Sequence, residues 1–289
     1  MSASLGAAKK LQDQSSIDKT LDLARRRYRQ TDLTGPHLTN GTLDLLLSHR
    51  SVRAYLPDPL PPGTVETLVT AAQSAASSSN LQVWSVVAVE DTDRKARLAA
   101  LAGNQKHILQ APLFLVWLLD LARLDNLAKE RGATAEALTY IESFLLGAVD
   151  ASLAAQNAVV ALESLGFGGV YIGAIRNHPV EVAKELGLPP NVFALFGLVV
   201  GRPDPSAPTE IKPRLPREAV LHREQYAWGP DQHAAIATYD ARIRAFQQEQ
   251  NLPLQDWSAQ AVSRVKDAPA LHGCDRLRVA LTELGFGLK

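Results

Sequence analysis

Residues 135–165 constrain the fold more than any other stretch: an Ala- and Leu-rich stripe recurs there at helical spacing, with few charges after Glu142. A helix that long and that apolar cannot face water on every side, so neighbours must cover most of it and it reads as a central scaffold. Around it two periodicities alternate. Apolar spacing near 3.6 predicts helices at 17–28, 43–49, 65–76, 94–102, 180–186 and 232–248. Runs of Val, Leu and Phe bounded by turn residues predict strands at 84–90, 112–120, 169–172 and 192–201. Such alternation argues an α/β or α+β fold.

At 289 residues and 46% hydrophobic content, the chain can bury one large core or two small ones. Thirty basic residues balance thirty acidic ones, so no chain-wide field favours nucleic acid or a membrane surface. Any anion site must be local. The single cysteine, Cys274, excludes an intramolecular disulfide framework and reads as a small buried apolar residue. The first forty residues carry Lys9, Lys10 and Arg25-Arg26-Arg27 without an apolar run of the kind a signal peptide needs, and the arginines are expected on a solvated helix face. Stretches such as 112–119 fall short of the ~20 residues that span a bilayer. The expectation is a soluble, cytoplasmic protein. His37, His178, His222, His233 and His272 show no pairing at metal-ligand spacing, so no metal is expected, and Trp117 reads as core.

Two short basic clusters stand out: His49-Arg50-Ser51-Val52-Arg53 and Lys212-Pro213-Arg214. Arg and Lys form charge-assisted hydrogen bonds to phosphate oxygens, and a serine hydroxyl adds a compact donor. Residues two apart in an extended segment share a face, so Ser51 and Arg53 are expected to point together into a site. Between the clusters lie Ser77-Ser78-Ser79-Asn80-Leu81-Gln82, the turn Gln105-Lys106-His107, and the glycine-rich Gly168-Gly169-Val170-Tyr171-Ile172-Gly173. A dinucleotide fingerprint needs its glycines between a strand and a following helix, whereas these follow a helix and lead into a strand. They are expected to let backbone approach a flat ligand, with Gly173 exposing its N–H.

Taken in order with Leu195-Phe196-Gly197-Leu198 and Lys212-Pro213-Arg214-Leu215-Pro216, these blocks resemble the major oxygen-insensitive nitroreductases, which are similar to the NADPH:FMN oxidoreductases of luminous bacteria. The resemblance covers about 43–226 well and the remainder more weakly. It implies an α+β fold with a central, mostly antiparallel sheet wrapped by helices, in a domain-swapped homodimer. It implies bound FMN, with NADPH or NADH as electron donor and nitroaromatics, quinones or free flavin as acceptors. By similarity, His49, Arg50, Ser51, Lys212 and Arg214 would hold the phosphate and ribityl end. Arg53, Gln82 and Gln105 would face the pyrimidine end of the ring, and Ser77, Ser78 and Ser79 would come from the other subunit. Tyr171, Ile172 and Gly173 would pass along the ring, and residues 135–165 would lie at the dimer interface.

The expected organisation is an N-terminal helical extension over 1–40, a flavin-binding core over 41–226 and a C-terminal helical arm over 227–289 lying on the partner. Two departures matter. Residues 246–255, ahead of Trp257-Ser258, contain no Arg or Lys, although relatives carry an arginine-bearing loop there for the NADPH 2′-phosphate. Asn80 stands where some relatives have an aromatic residue. The alternative to an enzyme is a flavin-binding carrier or sensor without useful turnover.

Overall fold

The computed structural model describes residues 14–33 and 38–289; Lys9, Lys10 and His37 lie outside the described residues. In chain order the helices are α1 (Gln14–Tyr28), α2 (Gly41–Ser48), α3 (Thr64–Gln73), α4 (Thr92–Leu101), α5 (Lys106–Gln110), α6 (Ala122–Glu130), α7 (Ile141–Ser164), α8 (Pro179–Leu186), α9 (Pro230–Glu249), α10 (Trp257–Arg264) and α11 (Leu277–Glu283). The strands are β1 (Trp84–Val89), β2 (Leu113–Asp120), β3 (Gly168–Ile172) and β4 (Val192–Gly201). Contacts group residues 51–208 with 267–289 in one unit, and 1–50 with 209–266 in another.

The first unit is built on an antiparallel sheet of order β1-β2-β4-β3. Strand β2 shows why: it is an unbroken apolar run, and alternate side chains enter different layers. Phe114, Val116 and Leu118 pack with Leu98, Ile108, Ile175 and Val182, whereas Leu113, Leu115 and Trp117 pack with α7 and α3. Burying each such Leu, Val or Phe contributes about 1.5–3 kcal/mol. On β4 a bulge at Leu195, between the Phe196↔Trp117 and Ala194↔Leu118 pairs, switches this alternation. Val192 and Ala194 face the first layer before it; Val199 does so after it, while Leu198 and Val200 turn to the α7 side. Gly147 lets α7 lie close on β2, since a Cβ there would come within 2.6 Å of Leu119.

The scaffold helix is shorter than the sequence predicts. Residues 136–139 form a 3₁₀ turn, Tyr140 is extended, and α7 starts at Ile141, whose N–H donates to the Lys289 carbonyl at 3.1 Å. It is also less covered than expected: Ile141, Leu145, Val149 and Leu153, one per turn, are all roughly half exposed. Residues 267–289 belong with the sheet, where Leu281 and Phe286 are buried in a cluster with Leu119, Ala151 and Phe193.

In the second unit, Thr20, Ala24 and Arg27 line one buried face of α1. The Thr20 hydroxyl donates to Asp44 on α2 at 2.5 Å, and Lys19 pairs with the same carboxylate at 2.9 Å. Those contacts, Thr20 foremost, hold the Asp44 carboxyl below its ordinary range. Arg27 therefore departs from the solvated face expected for the arginine run; its neighbour Arg26 is exposed and pairs with Glu210. Tyr239, Ile243 and Phe246 of α9 form a small core with Leu215 and Trp257.

Candidate functional site

In the second unit, the His49-Arg50 start of the first basic cluster and Lys212-Pro213-Arg214 meet on one buried side chain. The Arg27 guanidinium donates to the Lys212 carbonyl at 2.8 Å and to the Leu47 carbonyl at 2.9 Å, and also to the His49 carbonyl. The Arg214 N–H in turn donates to the Arg27 carbonyl at 3.0 Å. Residues 211–214 are extended: Ile211 and Pro213 are buried, so Lys212 and Arg214 project together from the opposite, exposed face. The Tyr239 hydroxyl fixes this register by donating to the Pro213 carbonyl at 3.0 Å. Arg50 is exposed and forms no ion pair among the described residues. Arg50, Lys212 and Arg214 are thus exposed cations on a rigidly backed main chain, with His49 half-buried beside Arg50, and Arg27 is the residue sequence reasoning missed. Its one signal was spacing, since 20, 24 and 27 fall on one helical face.

In the first unit, residues 51–55 run beside β3. Ser51 makes a parallel bridge to Gly169, and the Val52 N–H donates to the Gly169 carbonyl at 3.0 Å. Val52 and Tyr55 are the residues that point into the core; Arg53 is exposed and Ser51 half-buried, on the outward face. Of the glycines expected to admit a ligand, Gly168 and Gly169 are instead explained by packing. A Cβ would come within 2.6 Å of Val52 at Gly168 and 2.8 Å of the Val199 carbonyl oxygen at Gly169. Gly173, at the exposed end of β3, is different: a Cβ would meet only the Arg176 guanidinium, at 3.4 Å. No backbone or rigid side chain among the described residues requires glycine there. Ile172 is buried, and Tyr171 stands edge-on to Phe196 with ring centroids 5.3 Å apart. Arg176 donates to the Leu195 carbonyl at the β4 bulge.

Gln105 occupies the residue before α5, makes no side-chain hydrogen bond to the helix start and is half-buried. Two residues on, the His107 imidazole is held below its usual range, first by burial and then by the positive field of Arg53. Its Nε2 is buried without a hydrogen-bond partner among the described residues. A depressed folded-state value means the fold carries neutral His107, so its contribution is intact above the ordinary value of 6.5 and lost as pH falls through the folded value. The expected result is a melting temperature that drops on acidification below pH 6.5, with a shallower drop in His107→Gln. Parallel pH profiles for the two proteins would remove that assignment.

The serine run forms a strained loop. Ser79, Asn80 and Gln82 all adopt left-handed φ, at 49°, 55° and 52°, each costing a non-glycine residue about 1–3 kcal/mol. Asp150 on α7 holds the loop in place. Its carboxylate, 2% exposed, accepts from the Ser77 hydroxyl at 2.6 Å and from the Ser78 and Val83 N–H groups at 3.3 Å. Ser77 Oγ also accepts from the Gln82 N–H at 2.8 Å, so this hydroxyl is used within the chain, while Ser78 and Ser79 are exposed. Among the described residues no hydrogen bond joins the loop to Ser51, Arg53, Gln105 or residues 171–173. Cys274 is half-buried rather than buried, its thiol 3.7 Å from the Arg176 carbonyl oxygen.

One unit thus offers outward-facing cations, and the other an open glycine and a strained serine loop on a sheet. Residues 46–202 match the pattern of the nitroreductase family, and residues 212–289 match that family's C-terminal domain. The FMN reductase (NADPH) of Bacillus subtilis is 38% identical over 251 residues, spanning 86% of this chain and 98% of its own. The NADPH-flavin oxidoreductase of Vibrio harveyi is 38% identical over 81% of this chain and 94% of its own. Among solved structures, the hypothetical oxidoreductase YcnD from Bacillus subtilis superposes with a TM-score of 0.82 at 36% identity, covering 87% of this chain and all of that one. On the joint ground of motif order, sheet topology and these matches, the chain belongs to the nitroreductase family.

Proposed function

We propose that this protein is an FMN-dependent NAD(P)H oxidoreductase reducing nitroaromatics, quinones or free flavin two electrons at a time. The observation that carries the reading is the pair of outward-facing basic clusters fixed on Arg27, in a chain of this family. FMN fits the residues present: a phosphate dianion suits Arg50, Lys212 and Arg214, and Gly173 leaves a cradle a Cβ would otherwise fill. When bound, FMN supplies a ring that takes up and passes on an electron pair. His49, Arg50, Ser51, Lys212 and Arg214 hold its phosphate and ribityl end. Arg53, Gln82 and Gln105 would face the pyrimidine end, where Arg53 would supply a fixed positive charge. Tyr171, Ile172 and Gly173 would line the ring, with the Gly173 N–H available to it. Ser77, Ser78 and Ser79 are contributed by a partner subunit, with Ser78 and Ser79 the two hydroxyls turned to solvent. The chain needs no covalent nucleophile or metal of its own.

The assembly in this reading is a homodimer built on the half-exposed stripe of Ile141, Leu145, Val149 and Leu153 on α7, an apolar row that water would otherwise wet. Residues 227–266 supply the part of the C-terminal arm that reaches the partner. Sedimentation should give twice the chain mass of 31.3 kDa for wild type and the single mass for Leu145→Glu combined with Val149→Glu. A dimer that survives both charges would place the interface elsewhere. The location is cytoplasmic; α7, the one helix among the described residues long and apolar enough to cross a bilayer, is built into the core.

Anaerobic mixing of the flavin-loaded protein with NADH and NADPH tests the reading. Bleaching of the flavin absorbance by at least one nucleotide, followed by recovery on adding a quinone, is the expected result and identifies the donor. Bound flavin that neither nucleotide bleaches would make the protein a carrier or sensor. A protein that stays colourless with FMN would end the reading altogether.

A further inference from the structure

We infer that α1, which lies ahead of both stretches matching the family, is part of the cofactor site, and that Arg27 is a positioning residue for the phosphate of FMN. This rests on the reading of the protein as FMN-dependent. The geometry is specific. A guanidinium carries five donors in a rigid fork, and here they engage main-chain carbonyls on both sides of the proposed phosphate site, Leu47 and His49 on one and Lys212 on the other. The Arg27 carbonyl takes the Arg214 N–H as well. One residue therefore sets the spacing between the clusters carrying Arg50, Lys212 and Arg214.

Its own placement is determined by the same helix face. Ala24 and Thr20 are buried one and two turns before it, and the Thr20 hydroxyl bonds to Asp44 of α2. Arg26 to Glu210 at 3.1 Å and Arg29 to Glu249 at 2.6 Å tie the flanks of the helix to the 209–266 segment. Arg27 itself is 6% exposed, so it does not touch ligand; it acts through the backbone that presents the cations.

The test compares FMN with riboflavin, which shares the ring and ribityl chain but lacks the phosphate, binding to full-length apoprotein by quenching of flavin fluorescence. Wild type should prefer FMN. Arg27→Gln should raise the Kd for FMN at least tenfold and leave that for riboflavin within twofold. Arg27→Lys, which can reach one side of the site but not both, should fall between them and covers the case in which Arg27→Gln does not fold. A parallel loss of both flavins in either variant would mean a purely structural residue and overturn the inference, as would unchanged FMN affinity. Equal affinity of wild type for the two flavins would instead overturn the FMN reading on which the inference stands.

Discussion

Lys212→Ala combined with Arg214→Ala lowers affinity for FMN by about a hundredfold or more while barely changing that for riboflavin. Each charge-assisted hydrogen bond to a phosphate contributes about 1.5–3 kcal/mol, and every 1.4 kcal/mol is tenfold in affinity. Both side chains are exposed, so screening brings the pair toward the lower end of the summed range. The fold should tolerate the change. Arg214 Nη1 donates to the Lys212 and Pro213 carbonyls at 3.2 and 3.3 Å and those bonds are lost, but Arg27, Tyr239 and the buried Ile211 and Pro213 still hold the backbone of 211–214. Equal losses for FMN and riboflavin, measured by fluorescence quenching, would show that these cations do not meet the phosphate.

Asp150→Ala is expected to cost stability and loop order together. Removing the carboxylate strands the Val83 N–H, which is buried, at about 1–3 kcal/mol, and leaves the Ser77 and Ser78 donors to water at somewhat less. A total of about 2–4 kcal/mol corresponds to a fall of about 3–7 °C in Tm for a chain of this size. The three left-handed residues of the loop then lose the contact that holds them, and residues 77–83 should exchange their amide hydrogens much faster than in wild type. Asp150→Asn keeps an acceptor oxygen and should recover part of both effects. Wild-type amide exchange across 77–83 in Asp150→Ala would show that the loop is held by something else.

Much of the fold was legible in the sequence because the relevant signals are local. The run 113–120 reads as a buried strand, and it is one, with every side chain from Leu113 to Leu119 buried. The break at Tyr140 was not legible. Ala and Leu continue the helical pattern through it, and the start of α7 is set by Lys289, which pairs with residues 139 and 141 from the far end of the chain. The five-residue α5 fell below the length at which periodicity speaks. Glycine was the weakest guide: crowding by Val52 and Val199 explains Gly168 and Gly169, and only three-dimensional packing separates them from Gly173. Asp150 had a readable signal, as the lone carboxylate between Glu142 and Glu163 in an apolar helix. A charge placed there must find partners, and it found the serine loop.

Helix α7 presents two surfaces one residue apart in sequence: Val149 in the half-exposed apolar row and Asp150 under the strained loop. In the proposed dimer, the loop that one chain lends to its partner's cofactor is anchored to the helix that joins the chains. Thermodynamic reciprocity then makes assembly and cofactor occupancy two readings of one equilibrium. Dilution that separates the subunits releases FMN, and adding FMN to the dilute chain draws the subunits back together.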